Sequence, residues 1–427
     1  MLALLLGSGA LALVALARNA DKVTAAVPYM ALLSVFYIVA HIAMRRTASQ
    51  ADPLILPVAA FLNALGLAAV YRLSPSEFGP AQITWTIVGI GAFVATLLFV
   101  RDFDVLSRYK YILGFAGVAL LLLPLAPGIG ATINGARLWV SLGPLSFQPG
   151  ELAKVCLVVF FAAYLAERKE LLAIASRRLL GMHFPDLKHF GPLLVMWGLS
   201  LAVMFFEKDL GSSLLFFSIF LVMLYVATAR IVYVAIGLVM FAIGAYIGYQ
   251  IFTHVQQRVQ IWLDVFNPRF IADEGYQLAQ SLFALATGGL FGTGLGQGRP
   301  DLIPAAHTDF IFAVIGEELG MMGTAGVLLC FMLLVARGLR IAMHSRGDFG
   351  QLLAVGLTTI FGVQTIIILA GVTRLMPLTG ITLPFMSYGG SSLISNFILI
   401  ALLIRISHQT AAAPDPAMTG EILIGGR

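Results

Sequence analysis

Charged residues are scarce in this chain. Asp, Glu, Lys and Arg make up 11% of its 427 residues, whereas hydrophobic residues make up 59% and the mean hydropathy is +0.94. About a quarter of an ordinary soluble domain is charged, so most of this chain cannot form a water-facing surface. Its solvent must be lipid, where a chain without closed barrel strands spans as helices. We therefore predict an all-α fold, a polytopic membrane helix bundle.

Cysteine is also scarce. Cys156 and Cys330 are the two cysteines, and both lie in apolar runs, where a thiol acts as a small buried hydrophobic group. Two such residues exclude a disulfide framework or a cysteine-rich metal site. The N-terminal segment lacks a basic stretch before its apolar run and a small-residue cleavage site, so we interpret it as a first membrane helix rather than a cleaved signal.

Long apolar runs are what the chain has in abundance. A helix that crosses a bilayer needs about 20 mostly apolar residues, and twelve stretches meet or nearly meet this requirement. Several contain glycine or proline, which membrane helices tolerate better than soluble helices do. We predict helices that begin near Leu4, Ala26, Pro53, Ile83, Tyr111, Glu151, Phe190, Gly211, Ile231, Phe310, Gln351 and Pro384.

The basic residues are divided unevenly between the two sides of these predicted helices. Sixteen fall in one alternate set of loops and nine in the other, and the side with the excess is normally cytoplasmic. We predict both termini in the cytoplasm and an even number of helices. This role in orientation also explains the net charge of +5 without a nucleic-acid partner. The exterior set is Arg18, Lys22, Arg72, Arg137, Lys208, Arg258, Arg269, Arg299 and Arg374.

The longest connection, residues 253–309, falls on the exterior side. Loops of this length are usually functional or disordered. This one contains Trp262, Phe266, Tyr276 and Phe283, so we predict that it is ordered, with short helices lying on the bundle. Its glycine-rich stretch, residues 288–298, lacks the Gly-Lys-Ser/Thr ending of a phosphate loop, and we interpret it as a flexible turn region.

Ionisable residues near membrane depth are costly to bury and are therefore candidates for function. Glu151 and Lys154 lie one turn apart on one face of a predicted helix, although mutual neutralisation within the bundle explains them equally well. Asp309 ends the long exterior loop and could also be a favourable charge in the first turn of a helix. The other candidates are Glu207, Lys208 and Asp209 at the outer end of one helix, His307 and Thr308 before Asp309, and Glu317 and Glu318 beyond it.

Three exterior cations, Arg137, Lys208 and Arg374, oppose the orientation bias and lie close to the outer membrane boundary. Such groups would suit an anionic lipid headgroup, and a diphosphate above all. Arginine on a surface loop is the alternative for each. A carboxylate beside a basic, outward-facing lipid site suggests group transfer from a lipid-linked donor, with the carboxylate as general base and the cations stabilising a leaving phosphate.

Three blocks of sequence together resemble one known family, the SEDS proteins (shape, elongation, division and sporulation), which include RodA and FtsW. The resemblance covers residues 53 to 407 and implies a ten-helix core in residues 51–408, preceded by about two extra helices in residues 1–50 and followed by a cytoplasmic tail in residues 409–427. The blocks are Asn134-Gly135-Ala136-Arg137-Leu138-Trp139 with Phe147-Gln148-Pro149-Gly150-Glu151-Leu152-Ala153-Lys154; Gly275-Tyr276-Gln277 with His307-Thr308-Asp309-Phe310-Ile311-Phe312 and Glu317-Glu318-Leu319-Gly320; and Pro384-Phe385-Met386-Ser387-Tyr388-Gly389-Gly390-Ser391-Ser392.

The resemblance implies a peptidoglycan glycosyltransferase that polymerises lipid II at the outer face of the bacterial cytoplasmic membrane. Asp309 matches the family's motif aspartate and is implied to deprotonate or orient the acceptor hydroxyl while undecaprenyl diphosphate leaves. A class B penicillin-binding protein is the implied partner, and a divalent cation, Mg²⁺ or Mn²⁺, could assist the departure. The implied substrate-binding residues are Arg137, Trp139, Glu151, Lys154, Lys208, Asp209, His307, Thr308, Arg374, Ser387 and Ser391.

This sequence departs from the family pattern at three positions. Leu138 stands where a second arginine is frequent, Gly150 where serine is usual, and Ala305 where glutamate is usual. The last departure weakens any role for a second acid near Asp309, and none removes the predicted base.

Two other functions remain open from the residues. A lipid II flippase would use the same buried charges along a lipid pathway, but it should show internal repeats or paired broken helices, and no repeat is evident. A non-catalytic scaffold for a penicillin-binding protein would need neither Asp309 nor an exterior cluster of cations. Within the family, the short tail and the extra N-terminal helices favour the RodA type over the FtsW type.

Overall fold

The computed structural model of the protein describes residues 2–18, 23–133, 136–142, 145–173, 177–179, 182–184, 187–207 and 209–412. Lys208 and residues 413–427, which make up most of the predicted tail, lie outside the described residues. The helices are α1 (Leu2–Arg18), α2 (Val23–Thr47), α3 (Ile55–Leu73), α4 (Phe78–Phe99), α5 (Val105–Arg108), α6 (Lys110–Leu122), α7 (Pro149–Ala173), α8 (Leu187–Phe206), α9 (Leu210–Thr228), α10 (Ile231–Ile251), α11 (Thr253–Leu263), α12 (Tyr276–Gly288), α13 (Ile311–His344), α14 (Asp348–Val372) and α15 (Gly390–Ala412).

A helix forms at every one of the twelve predicted apolar stretches. Nine of the described helices are long and apolar enough to cross a membrane, α1 and α6 are shorter apolar helices, and α8 adds 20 residues. Helices form here because lipid offers no partner to backbone N–H and C=O groups, which must bond within the segment. The chain is a polytopic membrane bundle built mainly of helices, as predicted.

The last helix begins later than the sequence suggests. It starts at Gly390 rather than near Pro384, because residues 384–389 form turns in which Phe385 has a left-handed backbone conformation, with φ of 64°. The Tyr388 N–H donates to the carbonyl oxygen of His307 at 2.8 Å. This turn segment therefore packs against the residues that precede α13 instead of extending α15.

The long connection, residues 253–309, is ordered, as predicted, and contains α11, α12 and a 3₁₀ turn at Pro300–Leu302. Its glycine-rich stretch is not a flexible turn region, because its backbone is hydrogen-bonded to α13. Two small antiparallel sheets were not apparent from the sequence, since their strands have only three to seven residues. They are β1 (Gly130–Ile133), β2 (Ala136–Leu142) and β3 (Leu145–Phe147), and β4 (Arg177–Leu179) with β5 (Met182–Phe184).

The centre of the bundle consists of α3, α14 and α15. Over 18-residue windows, 83% of α3 and 78% of α14 and of α15 are buried within the protein, against 11% of α10. The fully buried Asn63 on α3 accepts a hydrogen bond from Tyr37 at 3.1 Å and donates to the carbonyl oxygen of Phe385 at 3.2 Å. A buried amide needs such partners, so α2, α3 and the turn segment before α15 are fixed to one another.

Polar contacts collect at the two ends of the bundle. At one end, Asp52 pairs with Arg337 at 2.7 Å and Lys169 with Asp348 at 2.6 Å. At the other end lie the pair of Arg72 and Glu318 and the segment that carries Asp309. The ion pairs of the first end belong to the loops with the excess of basic residues, and the second end contains the long connection. The site therefore lies at the end of the bundle where the loops predicted to be exterior meet.

We expect the close approach of α3 to the turn segment to be sensitive to a single methyl group. A Cβ added at Gly66 would lie 2.4 Å from the Met386 Cα atom, so Gly66→Ala must push the backbone apart. Overpacking of this kind costs about 1–3 kcal/mol, which should lower the melting temperature in detergent. Gly91→Ala is the matched control, because nothing lies within 4 Å of its added Cβ. Equal melting temperatures for both variants would contradict the packing described.

Candidate active site

The residues before α13 are held by the turn segment before α15. The Ser387 hydroxyl donates to the carbonyl oxygen of Thr308 at 2.6 Å, and the Tyr388 N–H donates to that of His307. The His307 ring stacks on Phe78 with 4.0 Å between ring centroids, and burial lowers its pKa, which favours neutral imidazole. Backbone bonds and ring stacking therefore fix the segment that ends in Asp309, the predicted base.

Arg258 on α11 is the cation beside Asp309. Its Nη1 atom donates to the carbonyl oxygens of Leu378 at 3.2 Å and Thr379 at 3.1 Å. The next residue, Gly380, has φ of +79°, and a Cβ there would lie 3.6 Å from Asp309 Oδ2 and 4.0 Å from Arg258 Nη2. Glycine at position 380 thus leaves the space between carboxylate and guanidinium free of a side chain.

The electrostatics of Asp309 result from two opposing effects. Burial raises the pKa of its carboxyl group to about 6, and the Arg258 guanidinium opposes this rise. The negative charge of Asp209 raises the pKa of Asp309 further, whereas a hydrogen bond from Thr308 lowers it. A carboxyl group with a pKa near neutrality can accept a proton during a reaction and release it afterwards.

Asp209 is the second carboxylate near Arg258. It caps α9, accepting from the Ser212 N–H at 2.9 Å. A Cβ at Gly211 would lie 3.0 Å from the carbonyl oxygen of Thr379, so α9 begins against the carbonyl group that binds Arg258. Burial raises the pKa of Asp209 and Arg258 opposes the rise. The guanidinium therefore acts on both carboxylates from a position fixed by backbone acceptors.

Glu151 and Lys154 form the ion pair that their spacing predicts, with 2.6 Å between Oε2 and Nζ. Lys154 is 2% exposed and also donates to Gln364 at 3.2 Å, while Gln364 donates to the carbonyl oxygen of Thr382 at 2.7 Å. The pair thus belongs to a polar chain that reaches residues 378–382, the segment that binds Arg258. The charge of Glu151 also raises the pKa of Asp209.

Ser387 and Ser391 make structural contacts on either side of the start of α15. Ser387 bonds Thr308 as described, and its hydroxyl also accepts from the Leu383 N–H at 2.8 Å. The Ser391 hydroxyl accepts from the Gln148 N–H at 2.8 Å. They hold the turn segment and the start of α7 against α15, and their predicted contact with substrate stays a prediction.

Arg374 attaches α11 to the bundle. Its Nε and Nη2 atoms donate to the carbonyl oxygens of Trp262 at 2.8 Å and Leu263 at 2.6 Å, and the Trp262 indole N–H donates back to the Arg374 carbonyl oxygen at 3.2 Å. These carbonyls end α11, where a cation is favourable. Arg374 therefore positions the helix that carries Arg258, and its predicted role in binding substrate stays a prediction.

Arg137 and Trp139 lie on β2, in the small sheet between α6 and α7. Arg137 Nη2 donates to the carbonyl oxygen of Ala126 at 3.0 Å, and Trp139 pairs with Ala131 across the sheet. The hydrogen bond of Arg137 thus stays within the segment that connects α6 to α7. Lys208 lies outside the described residues, so its predicted role is not placed.

The structure thus brings together Asp309, Asp209 and Arg258, whereas the sequence pattern suggests a group of Asp309 with Arg137, Lys208 and Arg374. Arg258 was counted only as one of nine exterior cations. The one sequence feature that could have indicated Arg258 is its place in a short polar segment of the long loop. The sequence does not indicate that this segment folds back to residues 378–380. The described residues contain no group of three or more His, Cys, Asp or Glu side chains that could hold a metal ion. The Arg258 guanidinium with the Asp309 and Asp209 carboxylates thus does not form a metal-binding donor set.

Comparison with known sequences places this chain in one family. The model of the FtsW, RodA and SpoVE family, described as cell cycle proteins, matches residues 47–412. The peptidoglycan glycosyltransferase RodA of Mycobacterium tuberculosis is 49% identical over 382 residues, which are 86% of this chain and 80% of that protein. A probable peptidoglycan glycosyltransferase FtsW of Geobacter sulfurreducens is 33% identical over 376 residues, which are 85% of this chain and 96% of that protein.

Solved structures agree with the sequence comparison. A chain from a peptidoglycan synthase complex, which coordinates polymerization and crosslinking, matches with a TM-score of 0.68 and 26% identity over 85% of this chain and 99% of that one. The rod shape determining protein RodA of Thermus thermophilus matches with a TM-score of 0.58 and 26% identity over 85% of this chain and 98% of that one. The chain therefore belongs to the family of FtsW, RodA and SpoVE.

Proposed function

We propose that this chain is a peptidoglycan glycosyltransferase that polymerises lipid II, with Asp309 as its general base. The observation that carries the assignment is the half-buried Asp309 carboxyl group beside Arg258, with a pKa of about 6. A general base works best when its pKa is near the working pH. The relatives' names, peptidoglycan glycosyltransferases, support the same reaction.

The proposed reaction has one proton transfer and one exchange of bonds at the donor carbon. The acceptor sugar hydroxyl gives its proton to Asp309 while its oxygen forms a bond to the anomeric carbon of the donor. The bond from that carbon to the diphosphate oxygen breaks, and the electron pair leaves with undecaprenyl diphosphate. Cations near developing phosphate charge stabilise such a transition state, a role we assign to Arg137, Lys208 and Arg374. Arg258 keeps Asp309 able to accept the proton.

The membrane orientation that we propose places both termini in the cytoplasm and the Asp309 end outside the bacterial cytoplasmic membrane. The loops at the opposite end contain the excess of basic residues, which favours this orientation. A class B penicillin-binding protein is the proposed partner. The similarity to a chain of a complex that coordinates polymerization and crosslinking supports it, and Mg²⁺ or Mn²⁺ as a helper of diphosphate departure stays a prediction.

The flippase alternative predicts paired broken helices in two halves. Among the described helices, α13 is interrupted by non-helical φ and ψ angles at Gly320, and no second helix in the described ranges carries such an interruption. A single break does not favour the flippase. The break is accompanied by hydrogen bonds between α13 and the glycine-rich loop.

The assignment of Asp309 predicts a large loss on substitution. General bases typically contribute about 10²–10⁴-fold to a rate, so Asp309→Asn should lower lipid II polymerisation by at least about 100-fold. The assay uses the full chain, purified with a cognate penicillin-binding protein and supplied with lipid II. Asp301→Asn is the matched control, since Asp301 is an exposed acid of the same loop and should keep wild-type activity. Polymer from Asp309→Asn at the wild-type rate would refute the general base.

The charge of Arg258 predicts a shift of the pH profile. Asp309 acts in its ionised form, so the rate is retained above its pKa of about 6 and is lost as the pH falls through that value. Arg258 lowers this pKa, and Arg258→Gln should therefore move the acidic limb to higher pH. Arg258→Lys, which keeps the charge, should move it less.

The profile is measured as initial polymerisation rate between pH 5 and pH 9. Arg269→Gln, which removes an exposed arginine of the same loop, serves as the control and should leave the limb in place. An Arg258→Gln profile that coincides with wild type would show that the guanidinium does not act on the base.

A further inference from the structure

Helix α13 is broken at Gly320, outside the site described above. Gly320 has φ of 66° and ψ of −165°, and this opens the two helical bonds that would join the Glu317 and Glu318 carbonyl oxygens to the Met321 and Met322 N–H groups. Lipid cannot satisfy groups released in this way, so broken membrane helices need partners from the protein itself.

The glycine-rich stretch supplies a partner for each released group. The N–H groups of Thr293 and Gly294 donate to the carbonyl oxygens of Glu317 at 2.9 Å and Glu318 at 3.0 Å. The N–H groups of Met321 and Met322 donate to the carbonyl oxygens of residues 289 and 290 at 2.9 Å and 3.1 Å. The loop is therefore inserted into the ladder of the helix.

Glycine is required where the two segments cross. A Cβ at Gly292 would lie 2.2 Å from the Glu318 carbonyl oxygen, and one at Gly288 would lie 1.9 Å from that of Gly316. A Cβ at Gly320 would lie 2.3 Å from the Gly292 nitrogen. These distances leave no space for a side chain, which explains Gly288 and Gly292 of the loop and the glycine of the Glu317-Glu318-Leu319-Gly320 motif.

Side chains close the same junction. Glu318 Oε2 accepts from the Gly296 N–H at 2.8 Å, and its Oε1 accepts from Arg72 Nε at 3.2 Å. Arg72 Nη2 donates to the Gly298 carbonyl oxygen at 3.0 Å. Glu317 Oε1 accepts from the Arg299 N–H at 2.8 Å. The Arg72 and Glu318 side chains are 16% and 3% exposed, so Arg72 on α3 ties both the loop and α13 to the core.

The N-terminal helix α1 contacts the same loop. A Cβ at Gly296 would lie 2.6 Å from the Ala17 Cβ, and Leu295 packs against the cluster of Leu11 and Val14. An open groove of about 550 Å³ lies beside these contacts, between α1, the loop and α13. The family model matches from residue 47 onward, and α1 is thus an addition to the matched region.

The junction and the proposed base share one short rigid element. Residues 311–319 form the half-helix before the break, about 13 Å long at 1.5 Å per residue. Asp309 stands before its first turn, and the junction holds its last. A displacement of the junction therefore moves Asp309 relative to Arg258, which is fixed independently on residues 378 and 379.

We propose that the α13 break and the glycine-rich loop form a clamp that positions Asp309, closed by the ion pair of Arg72 and Glu318. The inference rests on the proposed function. Arg72 and Glu318 are positioning residues, since they touch the loop and α13 rather than the base, and α1 supports the loop at Gly296.

The test compares Arg72→Gln, Arg72→Lys and wild type as full chains purified with the same penicillin-binding protein. Misplacement of a catalytic group by about 1 Å can cost about 100-fold, so Arg72→Gln should lower kcat by about 10- to 100-fold with little change in KM. Arg72→Lys keeps the charge and should recover part of the loss. Hydrogen exchange should rise in Arg72→Gln across residues 292–310 and be unchanged in α15.

Arg337→Gln is the matched control, because Arg337 forms an ion pair with Asp52 at the other end of α13. It should lower thermal stability without lowering the kcat of the folded protein. A wild-type kcat in folded Arg72→Gln, with Asp309→Asn inactive, would overturn the clamp and leave the base intact. An active Asp309→Asn would instead overturn the proposed function. Loss of kcat in Arg337→Gln equal to that in Arg72→Gln would also overturn the clamp, because the effect would then be general.

Discussion

The electrostatic effect of the Arg258 guanidinium on the carboxylates of Asp309 and Asp209 is the interaction on which the site depends. Burial raises the pKa of both Asp309 and Asp209, and the Arg258 guanidinium opposes that rise for each. The guanidinium can do so only because backbone carbonyls of residues 378 and 379 hold it in place. Several elements therefore fix the position of the Arg258 guanidinium relative to the two carboxylates. They are α11, the cap of α9 and the segment before α15. Burial and charge are therefore balanced at the carboxyl group that we propose as the base.

Lipid imposes the second constraint, because every backbone group at membrane depth must find a partner in the protein. Regular helices satisfy this constraint with their own hydrogen bonds. At the break at Gly320, the glycine-rich loop supplies the hydrogen-bond partners instead. The same break gives Asp309 a short half-helix of its own rather than the end of a 34-residue rod. Irregular backbone thus occurs where the proposed chemistry requires a defined position, and the extra helix α1 lies on the loop that supports it.

Much of the fold could be predicted because membrane helices are encoded locally. Each apolar run became a helix, and the i, i+3 spacing of Glu151 and Lys154 gave an ion pair. The site was predicted only in part, since its contacts join residues far apart in the chain. Arg258 meets residues 378–380 across 120 positions, which no periodicity reveals, whereas Arg374 proved to bind the end of α11. The glycines of residues 288–298 suggested a flexible turn region, because the local sequence does not show that their hydrogen-bond partners lie in α13.

The most direct test of the account is a titration of the Asp309 carboxyl group itself. Difference infrared spectra of wild type and Asp309→Asn, recorded against pH, isolate the carboxyl band of this residue. The account predicts a protonation midpoint of about 6 that coincides with the acidic midpoint of lipid II polymerisation. A carboxyl group that titrates near the ordinary value for aspartate, 3.8, while activity is lost at a different pH, would contradict the assignment of Asp309 as the base.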